Sequence, residues 1–465
     1  MKLIYDVKDK PKFGELIIFA IQQLLAIMAA TLVVPVIINS GNEALASTHP
    51  MSSVAALFGA GCGTLVYLMF TKMRSPVFLG SSFAFLGSMA AAFAGAISVQ
   101  VGYLGIILGA IFAGLVYVVI AIIVKFAGVN WINKLMPTVV IGPTVAIIGL
   151  SLAGNAIGDM SKGSYLVNGA PTASPIVTIV CGVVTLLVVC CSSVYGKKIG
   201  KLIPFIIGIL AGYATAAAFT AVGYATGNEA LMVSNFAPIT ALFADGVTIN
   251  SFFTLPDFTF ITALKGLKDI NASYIVSVMV AYVPVAFVVF TEHIADHKNI
   301  SSIIEKDLLK DPGLSRTLLG DGIGSMVGSL FGGCPNTTYG ESVGCVAITR
   351  NASVYTILTA AIMAIIISFI SPFVAFVNSI PSCVMGGVCM ALYGFIAVSG
   401  LKMVQKVDLE DNRNLFVVSA ILIAGIGGLT LTFGKVTITS IACALILGII
   451  VNTVLSLKKT KETNE

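Results

Sequence analysis

Residues 319–331, LGDGIGSMVGSLF, have a counterpart far upstream at residues 58–70, FGAGCGTLVYLMF. Both stretches carry GxGxG, with Gly59, Gly61 and Gly63 in the first and Gly320, Gly322 and Gly324 in the second. A second pair follows in the same order. LMPTVVIG around Pro137 matches SIPSCVMG around Pro381, each with a glycine five residues on, Gly142 and Gly386. SSFAF (81–85) falls after the first GxGxG as NTTYGE (336–341) falls after the second. Glycine patterns alone are weak, because small residues are common at helix contacts in membranes. Two pairs in matching order point to an internal repeat.

The composition says where such a repeat would live. Of 465 residues, 57% are hydrophobic and 10% charged, and the mean hydropathy is +1.01. A soluble protein cannot bury that much apolar surface, so the chain reads as a multi-pass membrane protein. The net charge of +5 is no nucleic-acid signal, because the basic residues sit between apolar runs and form no patch. No cleavable signal peptide is expected: the first apolar run continues to about Ile38 without a small-residue cleavage site. The nine cysteines are scattered through apolar stretches without a CxxC, and read as small packing residues.

Apolar segments fall near 14–38, 54–70, 77–95, 102–124, 135–153, 174–194, 203–224, 274–295, 317–331, 338–349, 354–370, 383–399, 415–432 and 436–457. This predicts an all-α polytopic protein of fourteen transmembrane segments. Segments 317–331 and 338–349 are too short to cross as continuous helices, which need about 20 residues. Short segments are where broken helices are sought. With fourteen spans, all 26 Lys and Arg except Lys162, Lys265, Lys268 and Lys435 fall on one side, together with both termini. The positive-inside rule makes that side cytoplasmic. The Pro137 span then leaves from the cytoplasmic side after Lys134, and the Pro381 span from the outer side. The halves read as seven-plus-seven inverted repeats, a transporter signature with polar sites near the midplane.

The polar chemistry concentrates in three places. In TEHIADHK, Glu292 and Asp296 are four apart and share a helix face, while His293 and His297 share a neighbouring one. Charges inside a span are costly and mark functional sites. His297, followed by Lys298, reads more simply as the end of the helix. HIADH is an HxxxH pair, but it lacks the Glu that follows the first His in HExxH, and no third ligand stands out, so no metal and no cofactor is expected. In GGCPNTTYGESVG, Pro335 and Gly340 discourage a continuous helix. The expectation is an extended stretch through 336–339, then a half-helix from Gly340 whose first N–H groups are open to a ligand or to a carboxylate such as Glu341. In FLGSSFAFLGS a half-helix is expected from near Phe83, entering from the opposite side. Two helix N-termini then meet at mid-membrane, with Phe83 offering a backbone N–H and an aromatic face.

Carboxylates accept from N–H donors, backbone N–H groups satisfy carbonyl oxygens, and an aromatic ring stacks on a planar ligand. A flat, uncharged heterocycle with alternating N–H and C=O edges fits. Two buried carboxylates without a neighbouring Lys or Arg resist double ionisation, which is machinery for proton coupling. An anion carrier would want a cation near the half-helix N-termini, and none is evident. A membrane metalloenzyme would need more ligands than the largest loop, 225–270, offers.

These residues carry a family resemblance. LVVPVI, LGSSFAF, TEH, KDLLKDPGLSRTLLGDG, PNTTYGE, VAITR, MGGV and LYG together resemble the nucleobase–ascorbate transporters (nucleobase:cation symporter-2), most closely the bacterial uracil-permease branch, over nearly the whole chain. The resemblance implies proton-driven uptake of a nucleobase across the cytoplasmic membrane by alternating access, with a homodimer as a possible partner arrangement. It implies a core domain of segments 1–4 (1–128) and 8–11 (231–375), moving against a gate domain of segments 5–7 (129–230) and 12–14 (376–465). It also implies short strands in segments 3 and 10. By motif, Glu292, Glu341, the Gly340 backbone, Phe83 and Tyr339 match the substrate-binding positions, and Glu292 and Asp296 the proton-coupling ones. Glu341 favours uracil, whereas the xanthine and urate branch has Gln there. Three positions depart from the pattern: Asp296 where the uracil branch has His, Gln22–Gln23 where Gln–His is frequent, and Ser342 where Asn is usual. They keep a purine permease as the alternative reading.

Overall fold

The computed structural model describes residues 3–456 apart from 129–130, 132–135, 168–169, 198, 245 and 434–435. Lys2, Lys134, Lys198, Lys435, Lys458, Lys459 and Lys461, used above for orientation, lie outside the described residues, as do positions 135 and 457.

The chain is mostly helical. The first group of helices is α1 (Phe13–Ser40), α2 (Ser53–Phe70), α3 (Leu86–Ala94) and α4 (Val99–Ala127). A strand, β1 (Leu79–Ser81), and a 3₁₀ turn (Phe83–Phe85) precede α3. Next come α5 (Thr138–Met160), α6 (Pro175–Tyr195) and α7 (Pro204–Thr226). The second half holds α8 (Ala272–Ile304), α9 (Leu314–Gly332), β2 (Asn336–Thr338), α10 (Gly340–Thr349) and α11 (Val354–Ile367). It ends with α12 (Ser382–Val404), α13 (Asn412–Ile426) and α14 (Ser440–Ser456). Among the described residues, eight helices are long and apolar enough to cross a membrane.

Local chemistry sets the ends. Ser52 and Asn271 cap α2 and α8 by accepting from Ala55 N–H and Tyr274 N–H, which satisfies donors the helix cannot. Pro175 and Pro204 open α6 and α7, where a missing N–H costs nothing. Gly333, at φ 75°, closes α9, and Pro335 prevents its continuation. α9 corrects one expectation. It is a continuous helix of 19 residues, about 28 Å long at 1.5 Å per residue, because residues on both sides of the apolar run 317–331 extend it. A second correction concerns α8, which runs past the expected end at 295 to Ile304 and leaves His297 two turns inside the helix.

The two GxGxG helices pack on each other. A Cβ on Gly59 of α2 would lie 2.4 Å from the Gly328 carbonyl oxygen of α9, so the backbones meet where neither carries a side chain. The proline-led helices α5 and α12 do the same: a Cβ on Gly149 would lie 2.2 Å from Tyr393 O. The closest packing groups α2, α4, α8, α9 and α11 together, and α5, α6, α7 and α12 together. Between the halves, β1 and β2 pair antiparallel, with Leu79 opposite Thr338 and Ser81 opposite Asn336. Asn336 locks this pair to the helices, its N–H donating to Ser325 Oγ (3.0 Å) and its Nδ2 to Gly59 O (3.2 Å). Each strand leads into a helix start, at Phe83 and at Gly340, so the two starts are brought together from opposite directions.

Candidate functional site

A cavity of about 350 Å³ lies between the two groups of helices. Glu292, Ala295 and Asp296 of α8 and Gly340, Glu341 and Gly344 of α10 line it from one group. Val145 of α5, Phe205 of α7, and Phe395, Ile396 and Ser399 of α12 line it from the other. The i, i+4 spacing does what the helix period requires and puts Glu292 and Asp296 on one cavity-facing stripe. Thr338 Oγ1, at the end of β2, donates to Asp296 Oδ2 (2.8 Å). Asp296 thus sits beside the start of α10, with its Oδ1 3.8 Å from where a Gly340 Cβ would be. No side chain caps α10, whose N-cap residue Tyr339 is extended, so this N-terminus presents backbone donors toward the carboxylate side of the cavity.

Of the expected site residues, Glu292, Asp296, Gly340 and Glu341 come together on the cavity, whereas Phe83 and Tyr339 do not line it. Tyr339 is buried, its hydroxyl donates to Ser81 O (2.7 Å), and its ring lies against Gly80 in the strand pair. Phe83 is buried edge-on to Tyr393 of α12, with centroids 5.8 Å apart. This contact joins the start of the helix after β1 to α12.

The other face of α8 points inward. His293 Nδ1 hydrogen-bonds with Asp321 Oδ2 of α9 (2.6 Å), and His293 Nε2 hydrogen-bonds with Thr317 Oγ1 (3.0 Å). His297 Nδ1–H donates to the His293 carbonyl (2.8 Å), and its Nε2 bonds with the Tyr67 hydroxyl (2.7 Å). The two rings stack 4.0 Å apart, and both side chains are fully buried. His297 is therefore a core residue, which corrects its reading as a solvated helix end. With every ring nitrogen engaged, the pair offers no metal site. Among the described residues no group of three His, Cys, Asp or Glu is placed to hold one.

The family model Xan_ur_permease, described as "Permease family", matches residues 14–434. The chain belongs to this permease family. It is a transporter, not an enzyme. The permease is 36% identical over 457 residues to a uracil permease of Bacillus caldolyticus, covering 98% of this chain and 95% of that one. It is 35% identical over 472 residues to a uracil permease of Bacillus subtilis (strain 168), covering 100% and 98%. Among solved structures, the transmembrane domain of a cyanobacterium bicarbonate transporter, BicA, matches with a TM-score of 0.59 at 14% identity, over 96% of this chain and all of that one. That likeness is one of fold alone.

Two of the three departures in the permease meet each other. Gln23 Nε2 donates to Ser342 Oγ, which also accepts from Phe78 N–H (3.0 Å). Ser342 thus turns away from the cavity and ties α10 to α1 and to the approach to β1. Two residues escaped the sequence reading. Asp321 was passed over as a spacer inside GxGxG, although a lone carboxylate in a glycine-rich apolar run is itself a signal. The second is Lys201, a cation that lines the same cavity as the carboxylates. It stands 91 positions before Glu292, and only the tertiary packing brings the two together.

Proposed function

We propose that this permease imports a nucleobase, uracil first, across the cytoplasmic membrane in symport with protons, by alternating access of a core against a gate. The observation that carries this is a single cavity wall holding Glu292, Asp296, Glu341 and the uncapped start of α10. That wall offers carboxylate acceptors beside backbone donors, the complement of a ring edge that alternates N–H and C=O. The cavity is at the small end of small-molecule sites, as a single heterocycle requires. The similarity to uracil permeases of two Bacillus species supports uracil over other bases.

In this reading, Glu341 accepts from a ring N–H and the Gly340 and Glu341 backbone donates to a ring carbonyl. Glu292 takes a further ring edge, and Glu292 with Asp296 carries the proton. Phe83 and Tyr339 complete the base site from the strand pair when core and gate shift. The core is segments 1–4 and 8–11, the gate segments 5–7 and 12–14, in fourteen segments of two inverted repeats with both termini cytoplasmic. The meeting of the paired GxGxG helices and the antiparallel β1–β2 pair support that symmetry. A homodimer belongs to the same reading through the family resemblance.

The test is thermal stabilisation of the purified protein by uracil, thymine, xanthine and hypoxanthine, alongside Glu341→Ala. Uracil is expected to stabilise the unsubstituted protein and not the variant. Stabilisation by a purine alone would transfer the assignment to the purine branch, with Asp296 as the residue that changes the pocket. No shift with any base would end the substrate assignment.

A further inference from the structure

Among the described residues, the cavity carries one charge of the opposite sign. Its charged lining residues are Glu292, Asp296, Glu341 and Lys201. The three carboxylates stand on α8 and α10, whereas Lys201 stands in the connection between α6 and α7, which packs with the other group of helices. Lys201 is exposed, and none of the described ion pairs includes it. It is therefore an ammonium on a four-carbon stem, open to the cavity and attached to the opposite moving part.

A symporter must return empty, and that step sets the problem. When substrate and proton have left, closing the cavity strips water from carboxylates that two partners had neutralised. An uncompensated buried charge is strongly destabilising. A loaded carrier does not face this cost, because proton and base satisfy the carboxylates themselves. A lysine lining the same cavity can satisfy them only while no ligand does.

We propose that Lys201 is the counter-ion of the empty carrier: it pairs with the Glu292–Asp296 face after release and lets the unloaded cavity close. The assignment rests on the reading of the protein as a proton-coupled nucleobase symporter. It adds a residue of the gate side, in no binding role, that separates the empty return from the loaded crossing.

The two crossings are separable by flux assays on the full chain reconstituted in liposomes. Uracil exchange, with uracil on both sides, uses only the loaded crossing. Net uracil uptake driven by a pH gradient also needs the empty return. For Lys201→Gln, net uptake is expected to fall by about tenfold or more, the effect of one unscreened charge at cavity distance, while exchange stays within about twofold. Lys201→Arg, which keeps the charge, is expected to restore net uptake. Equal loss of exchange and net uptake in Lys201→Gln would make Lys201 a binding or folding residue and overturn the proposal. So would unchanged net uptake, or an arginine variant as defective as the glutamine one. Absence of uracil exchange in the unsubstituted protein is a different failure. It would remove the symport reading first, and this inference with it.

Discussion

The buried His293–Asp321 contact invites a quantitative test. The Asp321 Oδ2 atom hydrogen-bonds with His293 Nδ1 at 2.6 Å and lies 3.4 Å from Thr337 Oγ1, and both members of the pair are fully buried. It joins α8 to α9, and through Thr337 it reaches the β2 strand that positions α10. Replacing Asp321 by alanine leaves His293 Nδ1 without a partner in a site that water does not reach. Leaving one member of a buried hydrogen bond without its partner costs about 1–3 kcal/mol. Asp321→Ala is therefore expected to destabilise by about 1–3 kcal/mol, well outside the range of surface substitutions. Asp321→Asn keeps a polar side chain of the same shape to face the ring, so about half that loss is expected.

The assay is unfolding of the purified protein in detergent, by denaturant or heat, on Asp321→Ala, His293→Ala and the double variant. If the pair is the main partner of each residue, the double variant loses little more than the worse single one, leaving a coupling of at least about 1 kcal/mol. Additive losses would refute the reasoning, because they mean that each residue is held by something else. A loss below about 0.5 kcal/mol in Asp321→Ala would refute it more directly, since that is the range of surface positions.

Three further outcomes are expected. The Gln23–Ser342 contact should give a double-variant cycle that departs from additivity by about 0.5–1.5 kcal/mol, and a coupling near zero would mean that these two departures from the family pattern are unrelated. Gly59→Ala should lower stability by about 1–3 kcal/mol through overpacking, because its new Cβ meets backbone atoms at 2.4 and 3.1 Å. Gly14→Ala, with nothing within 4 Å, is the control and should move the unfolding midpoint little. Asp296→Asn keeps an acceptor for the Thr338 hydroxyl, so the fold and base binding should survive while gradient-driven uptake drops. Parallel loss of binding and uptake would take Asp296 out of proton coupling.

What could be read in advance, and what could not, follows from the reach of each signal. The match between residues 58–70 and 319–331 was visible because backbones that touch need glycine at fixed spacing, and glycine leaves a mark in the text. The break before Gly340 was visible because Pro335 and Gly340 act on their own backbone. Helical period put Glu292 and Asp296 on one face and His293 and His297 on the next. Period alone does not say which face meets a cavity. That depends on the neighbour: α9 offers Asp321 and Thr317 to the histidine face, and so leaves the carboxylate face for the opening. Tyr339 and Phe83 show the same limit, since the β1–β2 register turns one ring onto Gly80 while the other meets Tyr393. Lys201 is the extreme case. Nothing near it in the chain distinguishes it from the other basic residues that flank apolar runs, and its meaning comes wholly from the carboxylates that a different group of helices carries to the same space.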